Sequence, residues 1–230
     1  MKFLNFKSKK LPPHIRILLE LQKRGYDSKV IYDIGAFKGD WSKEVKHYFP
    51  QAKCFLFEAN PAYAADLMNT GLDFFNVALS EPGKSSVRFY NAGATGNSYY
   101  KENTVIFDNS SSVELSCTTL DILIDQYKLP IPNFLKIDTQ GSEIDILKGF
   151  QNLTEVDFIL IECPIIQYNH GAPNIHDYLT YFKNFNFIPI EIAEIHKIDH
   201  VVLQIDILFA SRIIKSDLFG AEEIIRPFAT

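Results

Sequence analysis

Short apolar runs, each closed by a polar or acidic residue, recur along most of the chain: V-I-Y-D at 30–33, C-F-L-F-E at 54–58, D-F-F-N at 73–76, F-L-K-I-D at 134–138 and F-I-L-I-E at 158–162. Their near-continuous hydrophobicity predicts a parallel sheet covered on both faces, because a half-exposed sheet would alternate apolar with polar positions. Most of the intervening segments suit helices, so the predicted class is α/β with helices on both sides of the sheet. Ahead of the first run, Ile15, Leu18, Leu19 and Leu21 fall on one side of a helix that follows Pro12 and Pro13 and that Gly25 can end. This predicts an N-terminal docking helix. Two regions break the rhythm. Residues 85–118 hold two strand-like runs around a polar stretch, a β-excursion. The runs at 187–192 and 201–210 lie too close together for a parallel crossover and predict an antiparallel hairpin.

A tail and docking helix at 1–28 therefore precede a single domain at 29–230, with no repeat or linker to mark a second one. A chain of 230 residues can bury a substantial core without disulfide or metal staples. With 28 acidic against 23 basic residues and a net charge of -5, no broad basic field is available for nucleic acid. The three cysteines, Cys54, Cys117 and Cys163, form no C-x-x-C pair and read as reduced thiols. No apolar run reaches bilayer-spanning length, so the expected location is the cytoplasm, without integral membrane contact. A homo-oligomer is compatible with the sequence and not specified by it.

Four of the predicted parallel strands end in a carboxylate: Asp33, Glu58, Asp138 and Glu162. Ligands of open α/β sheets bind outside the carboxyl ends of the strands, so these four are expected to converge on one site. Solvated strand-end punctuation is the bland alternative for any one of them. After the first strand, D-I-G-A-F-K-G lets the chain turn at Gly35 and Gly39 and a ligand approach the backbone. It is not the G-x-G-x-x-G of dinucleotide binders, and Asp33 suits an amino group better than a pyrophosphate. Glu58, at the end of the second strand, stands where a carboxylate accepts both hydroxyls of a ribose. Asn76 can bond an adenine edge, with the Val77 backbone adding a contact, or can serve only as a turn residue.

The strings D-I-G-A-F-K-G-D-W-S, F-E-A-N-P, N-V-A-L-S, T-T-L-D, L-K-I-D-T-Q-G-S-E and L-Q-I-D-I-L-F-A, in that order over about residues 30–210, resemble the FkbM family of class I S-adenosylmethionine-dependent methyltransferases. The resemblance implies a Rossmann-like, seven-stranded, mostly parallel sheet whose last strand is antiparallel and inserted. It implies S-adenosyl-L-methionine as cofactor and O-methylation of a hydroxyl on a sugar, glycan or natural product. Asp33, Gly35, Ala36 and Gly39 match the loop around the methionine part of the cofactor. Glu58 matches the ribose ligand, Ala59 lies against the adenine, and Asn76 and Val77 match its edge contacts. Asp138 matches a position facing both the methionyl amine and the acceptor. In the helix that follows, Ser142 and Asp145 have capping-box spacing.

Methyl transfer needs alignment of the reacting atoms, and a general base helps an alcohol acceptor. Asp138 is the first candidate for that base and His170, on the loop after the fifth strand, the second. Glu162, Tyr168 and His170 are candidate acceptor contacts. So are Asn97, Ser98 and Tyr99, in a stretch from 93 to 104 expected to act as an acceptor-side lid. Asp138 and Glu162 with Asp206 could present oxygen ligands to magnesium, but the spacing does not require it and no metal is expected. The spacing of His14, His47, His176, His196 and His200 suggests neither a metal site nor a triad. The alternatives are a nicotinamide-dependent Rossmann oxidoreductase and a non-catalytic cofactor-binding protein.

Overall fold

The computed structural model describes residues 11–91, 98–101 and 111–219. The chain runs through helix α1 (Pro13–Lys23), strand β1 (Val30–Ile34), α2 (Asp40–Tyr48), β2 (Lys53–Glu58), α3 (Ala64–Met68) and β3 (Asp73–Asn76). Strands β4 (Ala78–Leu79), β5 (Ser86–Asn91) and β6 (Ser111–Thr118) follow, then α4 (Leu120–Tyr127), β7 (Phe134–Ile137) and α5 (Glu143–Lys148). The last elements are β8 (Phe158–Pro164), α6 (Ile175–Asn184), β9 (Phe187–Ile198), β10 (Val201–Ser211) and α7 (Arg212–Phe219).

The main sheet has seven strands in the order β3-β2-β1-β7-β8-β10-β9. Pairings from β3 to β8 are parallel, and β10 is inserted antiparallel between β8 and β9. The chain order reverses between β1 and β7, which puts the switch-point crevice beyond Ile34 and Ile137. Strands β5 and β6 pair antiparallel, and β4 joins them in a three-stranded sheet.

Alternation along each strand divides the core in two. Tyr32, Ile34, Leu135, Ile137, Ile159 and Ile161 face one way and pack under α4, α5 and α6. Ile31, Leu56, Phe134, Phe158, Leu160 and Leu208 face the other way and pack with the buried residues of α1 and α2. Helix α1 buries Ile15, Ile17, Leu18 and Leu21, while Leu19 is only half-buried. The expected stripe is thus turned by one residue, and Gly25 takes the positive φ (+93°) that ends the helix. Among the described residues no helix is long and apolar enough to cross a membrane.

Candidate active site

A crevice opens at the switch point between the ends of β1, β2 and β7. Glu58, Asp138, Thr139, Ser142, Ser98 and Tyr99 give it polar groups, among apolar walls that include Ile34, Phe57, Val77 and Leu79. Asp138 also lines a smaller cavity on the other side, together with Lys136, Glu162, Asp206 and His14. The four strand-end carboxylates therefore do not meet in one place. Glu58 and Asp138 face the larger crevice, Asp33 and Glu162 belong to the α1 side, and Asp138 stands where the two sides join.

Asp33 is fully buried (0% exposed) and both its oxygens are engaged, one by the Ser42 hydroxyl at 2.7 Å and one by Lys136 Nζ at 2.9 Å. It does not present a free oxygen to a ligand amine, contrary to expectation; the cation it holds is internal. Burial works against the charge on Lys136, but Asp33 and then Asp138, 3.9 Å away, outweigh it and hold the ammonium above its ordinary pKa. Gly35 takes φ +75°, and a Cβ there would stand 1.8 Å from the Asp138 carbonyl oxygen. Its freedom serves the close approach of the two strand-end loops. Gly39 (φ +74°) lies against Thr70 and Leu56, and Ala36 is buried with its N–H donated to the Phe57 carbonyl. Neither lines the crevice; Gly35 and Ala59 do.

Glu58 accepts from the Phe37 N–H and the Asn60 N–H, each at 2.8 Å, so one carboxylate ties the loops after β1 and β2 together. Burial raises its pKa despite those two donors. Asn76 stands opposite Glu58 in the neighbouring strand, and Val77, next to it, lines the crevice. The Asn76 amide donates to the Glu58 and Asn60 carbonyls at 2.8 and 3.2 Å, and the Val77 N–H donates to the Glu58 carbonyl at 2.8 Å. Both donors are spent on shaping the loop, which leaves Val77 as an apolar wall.

The string after β7 folds around the Glu143 carboxylate. Ser142 and Asp145 do not form a capping box. Instead Glu143, buried, accepts from the Thr139 N–H at 2.9 Å, the Gly141 N–H at 3.0 Å and the Tyr178 hydroxyl. The Ser142 hydroxyl turns to Thr139 Oγ1 at 2.8 Å. This holds Gln140 in a left-handed conformation (φ 59°) from which its amide donates to Asp138 Oδ1 at 3.1 Å and to Glu162 Oε1 at 2.7 Å. Asp138 remains the most open of the four, 41% exposed at its side chain.

The family model described as "Methyltransferase FkbM domain" matches residues 33–189. The chain belongs to the FkbM methyltransferase domain family. It is similar to the hexuronic acid methyltransferase AglP of Haloferax volcanii, with 28% identity over 154 residues, 64% of this chain and 60% of that protein, so it spans less than two thirds of that relative's length. Among solved structures, an S-adenosylmethionine-dependent methyltransferase from Clostridium acetobutylicum superposes with a TM-score of 0.49 at 9% identity, covering 85% of this chain and 89% of that one. An O-methyltransferase family protein from Burkholderia thailandensis superposes with a TM-score of 0.48 at 8% identity, covering 86% and 55%.

In this FkbM-family chain the remaining candidates are distributed unevenly. Ser98 and Tyr99 line the larger crevice together with Glu58 and Asp138. The Ser98 hydroxyl donates to the Gln140 carbonyl at 2.8 Å, and the Tyr99 hydroxyl lies 3.3 Å from the Leu79 carbonyl and 3.4 Å from that of Ser142. Asn97 and most of the expected lid fall outside the described residues. Glu162 and Tyr168 join the Gln140 network: Gln204 donates its amide to Glu162, and the Tyr168 hydroxyl donates to Gln204 Oε1 with Gln140 Oε1 3.3 Å away. Burial, followed by the charges of Asp138, Asp206 and Glu143, pushes the Glu162 pKa well up. His170 is exposed and lines neither cavity; among the described residues its backbone N–H donates to the Lys101 carbonyl at 2.8 Å.

Sequence reasoning missed Lys136, Gln204 and the histidines His14 and His196 near Asp206. A lysine inside the apolar run F-L-K-I was a usable signal, since a charge at a doubly covered strand position needs a buried partner. For His14 and Asp206, 192 residues apart in sequence, no local signal existed.

Proposed function

We propose that the chain transfers a methyl group from S-adenosyl-L-methionine to a hydroxyl of a sugar acceptor, with a hexuronic acid as the favoured class. The observation that carries this reading is the place of Asp138, the open carboxylate at the wall between the larger crevice and the smaller polar cavity. Family membership supports the reaction, and the hexuronic acid named for the Haloferax volcanii relative motivates the acceptor class.

The residues present fit the cofactor: the crevice has apolar walls for a nucleobase and a strand-end carboxylate, Glu58, for a diol. When bound, the sulfonium supplies an already activated methyl group. The protein's part is alignment and water exclusion, worth about 7 to 11 kcal/mol in favourable cases. Val77, Leu79 and Phe57 would flank the base, and Ser98 and Tyr99 would close the crevice from the excursion. Asp138 would take the proton of the acceptor hydroxyl, contributing roughly 10² to 10⁴ in rate. Its Gln140 hydrogen bond would fix the direction in which it accepts. His170, outside both cavities, is not retained as a base.

The test is methyl transfer from S-adenosylmethionine labelled on its methyl group to glucuronate and galacturonate glycosides and to the matching neutral hexosides. The reading predicts labelled product with the uronates. Transfer to neutral hexosides alone would remove the acceptor class and leave the reaction; saturable NAD binding with no S-adenosylmethionine binding would remove both and favour the oxidoreductase.

A further inference from the structure

Across β8, β10 and β9, Glu162, Asp206 and Glu194 stand directly opposite one another. Cross-strand partners share a face, so three carboxylates project side by side towards α1. His14 of α1 reaches the same place, and His196 lies two residues beyond Glu194 on β9. Asp206, in the middle, is 6% exposed. Its Oδ2 is held by His14 Nε2 at 2.6 Å, but its buried Oδ1 has no hydrogen-bond partner among the described residues. At 3.5 Å from that oxygen is His196 Nε2, also buried and also without a hydrogen-bond partner among the described residues. The large majority of buried side-chain polar atoms in native proteins are hydrogen-bonded, so two such atoms left 3.5 Å apart suit a group that bonds both.

We propose that Asp206 Oδ1, His196 Nε2 and a carboxylate oxygen of Glu162 bind a divalent first-row transition-metal ion, Mn²⁺ or Zn²⁺. The three ligating atoms all lie within 4.8 Å of one another. Ligands at metal bond lengths of about 2.0 to 2.2 Å stand roughly 3 to 3.6 Å apart, so the 3.5 Å between Asp206 and His196 already suits a shared ion. The imidazole ligand disfavours Mg²⁺ and Ca²⁺, which take oxygen, and selects the transition series. The existing contacts need not break. His14 keeps Asp206 Oδ2 and orients the carboxylate, while Gln140 and Gln204 do the same for Glu162, the usual support around metal ligands. Charge argues the same way, because Glu162, Asp206, Glu194 and Asp138 crowd this side while Lys136 is committed to Asp33.

The site differs from the magnesium arrangement considered from sequence, since it includes a histidine and does not use Asp138. It lies one side chain, Gln140, away from Asp138, so a bound ion would give an oxygen-rich acceptor a second point of attachment. That consequence rests on the proposed function; ion binding does not.

The test uses the full chain, stripped with EDTA and titrated with Mn²⁺ and, separately, Zn²⁺ by calorimetry, without cofactor or acceptor. The proposal predicts saturable binding of one ion per chain. It predicts at least about tenfold weaker binding in His196→Gln and in Asp206→Asn, and a loss of about 10- to 100-fold in His14→Gln. His200→Gln, in the exposed hairpin turn, should bind as the wild type does. If Asp206→Asn fails to fold by circular dichroism, the half-exposed His196→Gln decides alone. No saturable binding of either ion, or undiminished binding in His196→Gln, overturns the proposal.

Discussion

Lys136 Nζ lies 2.9 Å from Asp33 Oδ1, and the parallel register of β1 and β7 sets the two residues side by side in the sheet. Both are buried, so removing one strands the other's charge. Lys136→Met should cost about 3 to 5 kcal/mol in urea unfolding, and adding Asp33→Asn should restore a large part of it. The double variant should also keep the wild-type affinity for S-adenosylhomocysteine within a few-fold. A proportionate loss of that affinity would show that Asp33 faces the cofactor directly.

Gly35→Ala sets a Cβ against the Asp138 carbonyl, 1.8 Å away, at a φ of +75° that L-residues rarely adopt. The strand-end loops must separate, so both thermal stability and cofactor affinity should fall. A variant with the melting temperature and affinity of the wild type would contradict the loop contact.

Much of the fold was legible. Doubly covered strands announce themselves by continuous apolar runs such as F-I-L-I-E, and the closely spaced terminal pair could only be antiparallel. The strand-end carboxylates were legible as positions but not as roles, because whether Asp33 faces a ligand or Lys136 depends on which residue sits beside it in the register. The same limit explains Glu143, which replaces the expected Ser142–Asp145 cap: its partners are backbone N–H groups exposed by a left-handed Gln140 that no local pattern announces. The histidines around Asp206 come from α1 and β9, and only the packed fold brings them together.

Glu58 provides a pH signature. Burial raises its folded pKa above the ordinary value of about 4.3, so its contribution to stability is complete below that value and is lost as pH rises through the folded pKa. Glu58→Gln cannot ionise. The stability of this variant relative to wild type should therefore improve steadily from pH 4 to pH 7, whatever constant offset the lost N–H acceptor adds. Urea midpoints at four pH values measure the slope, and a flat or opposite one would contradict the direction given for Glu58.

Ser98 and Tyr99 line the crevice with Glu58, and the Ser98 hydroxyl holds the Gln140 carbonyl at 2.8 Å. Ser98→Ala with Tyr99→Phe should therefore weaken S-adenosylhomocysteine binding several-fold, in line with one or two hydrogen bonds of about 0.5 to 1.5 kcal/mol. Unchanged affinity with slower turnover would return these residues to the acceptor side.

Asp138→Asn keeps the shape of the crevice wall while removing the proposed base. Turnover should fall by roughly 10² to 10⁴ with cofactor affinity within a few-fold of wild type. Equal losses in both would make Asp138 a cofactor ligand instead.

The central claim is tested most directly by calorimetric titration of the wild type and of Glu58→Ala with S-adenosylhomocysteine, with NAD as the competing nucleotide. The account predicts saturable binding to the wild type at about micromolar Kd, at least tenfold weaker binding to Glu58→Ala, and no saturable heat with NAD. Binding of NAD but not of S-adenosylhomocysteine, or affinity for the latter that ignores the loss of Glu58, would contradict it.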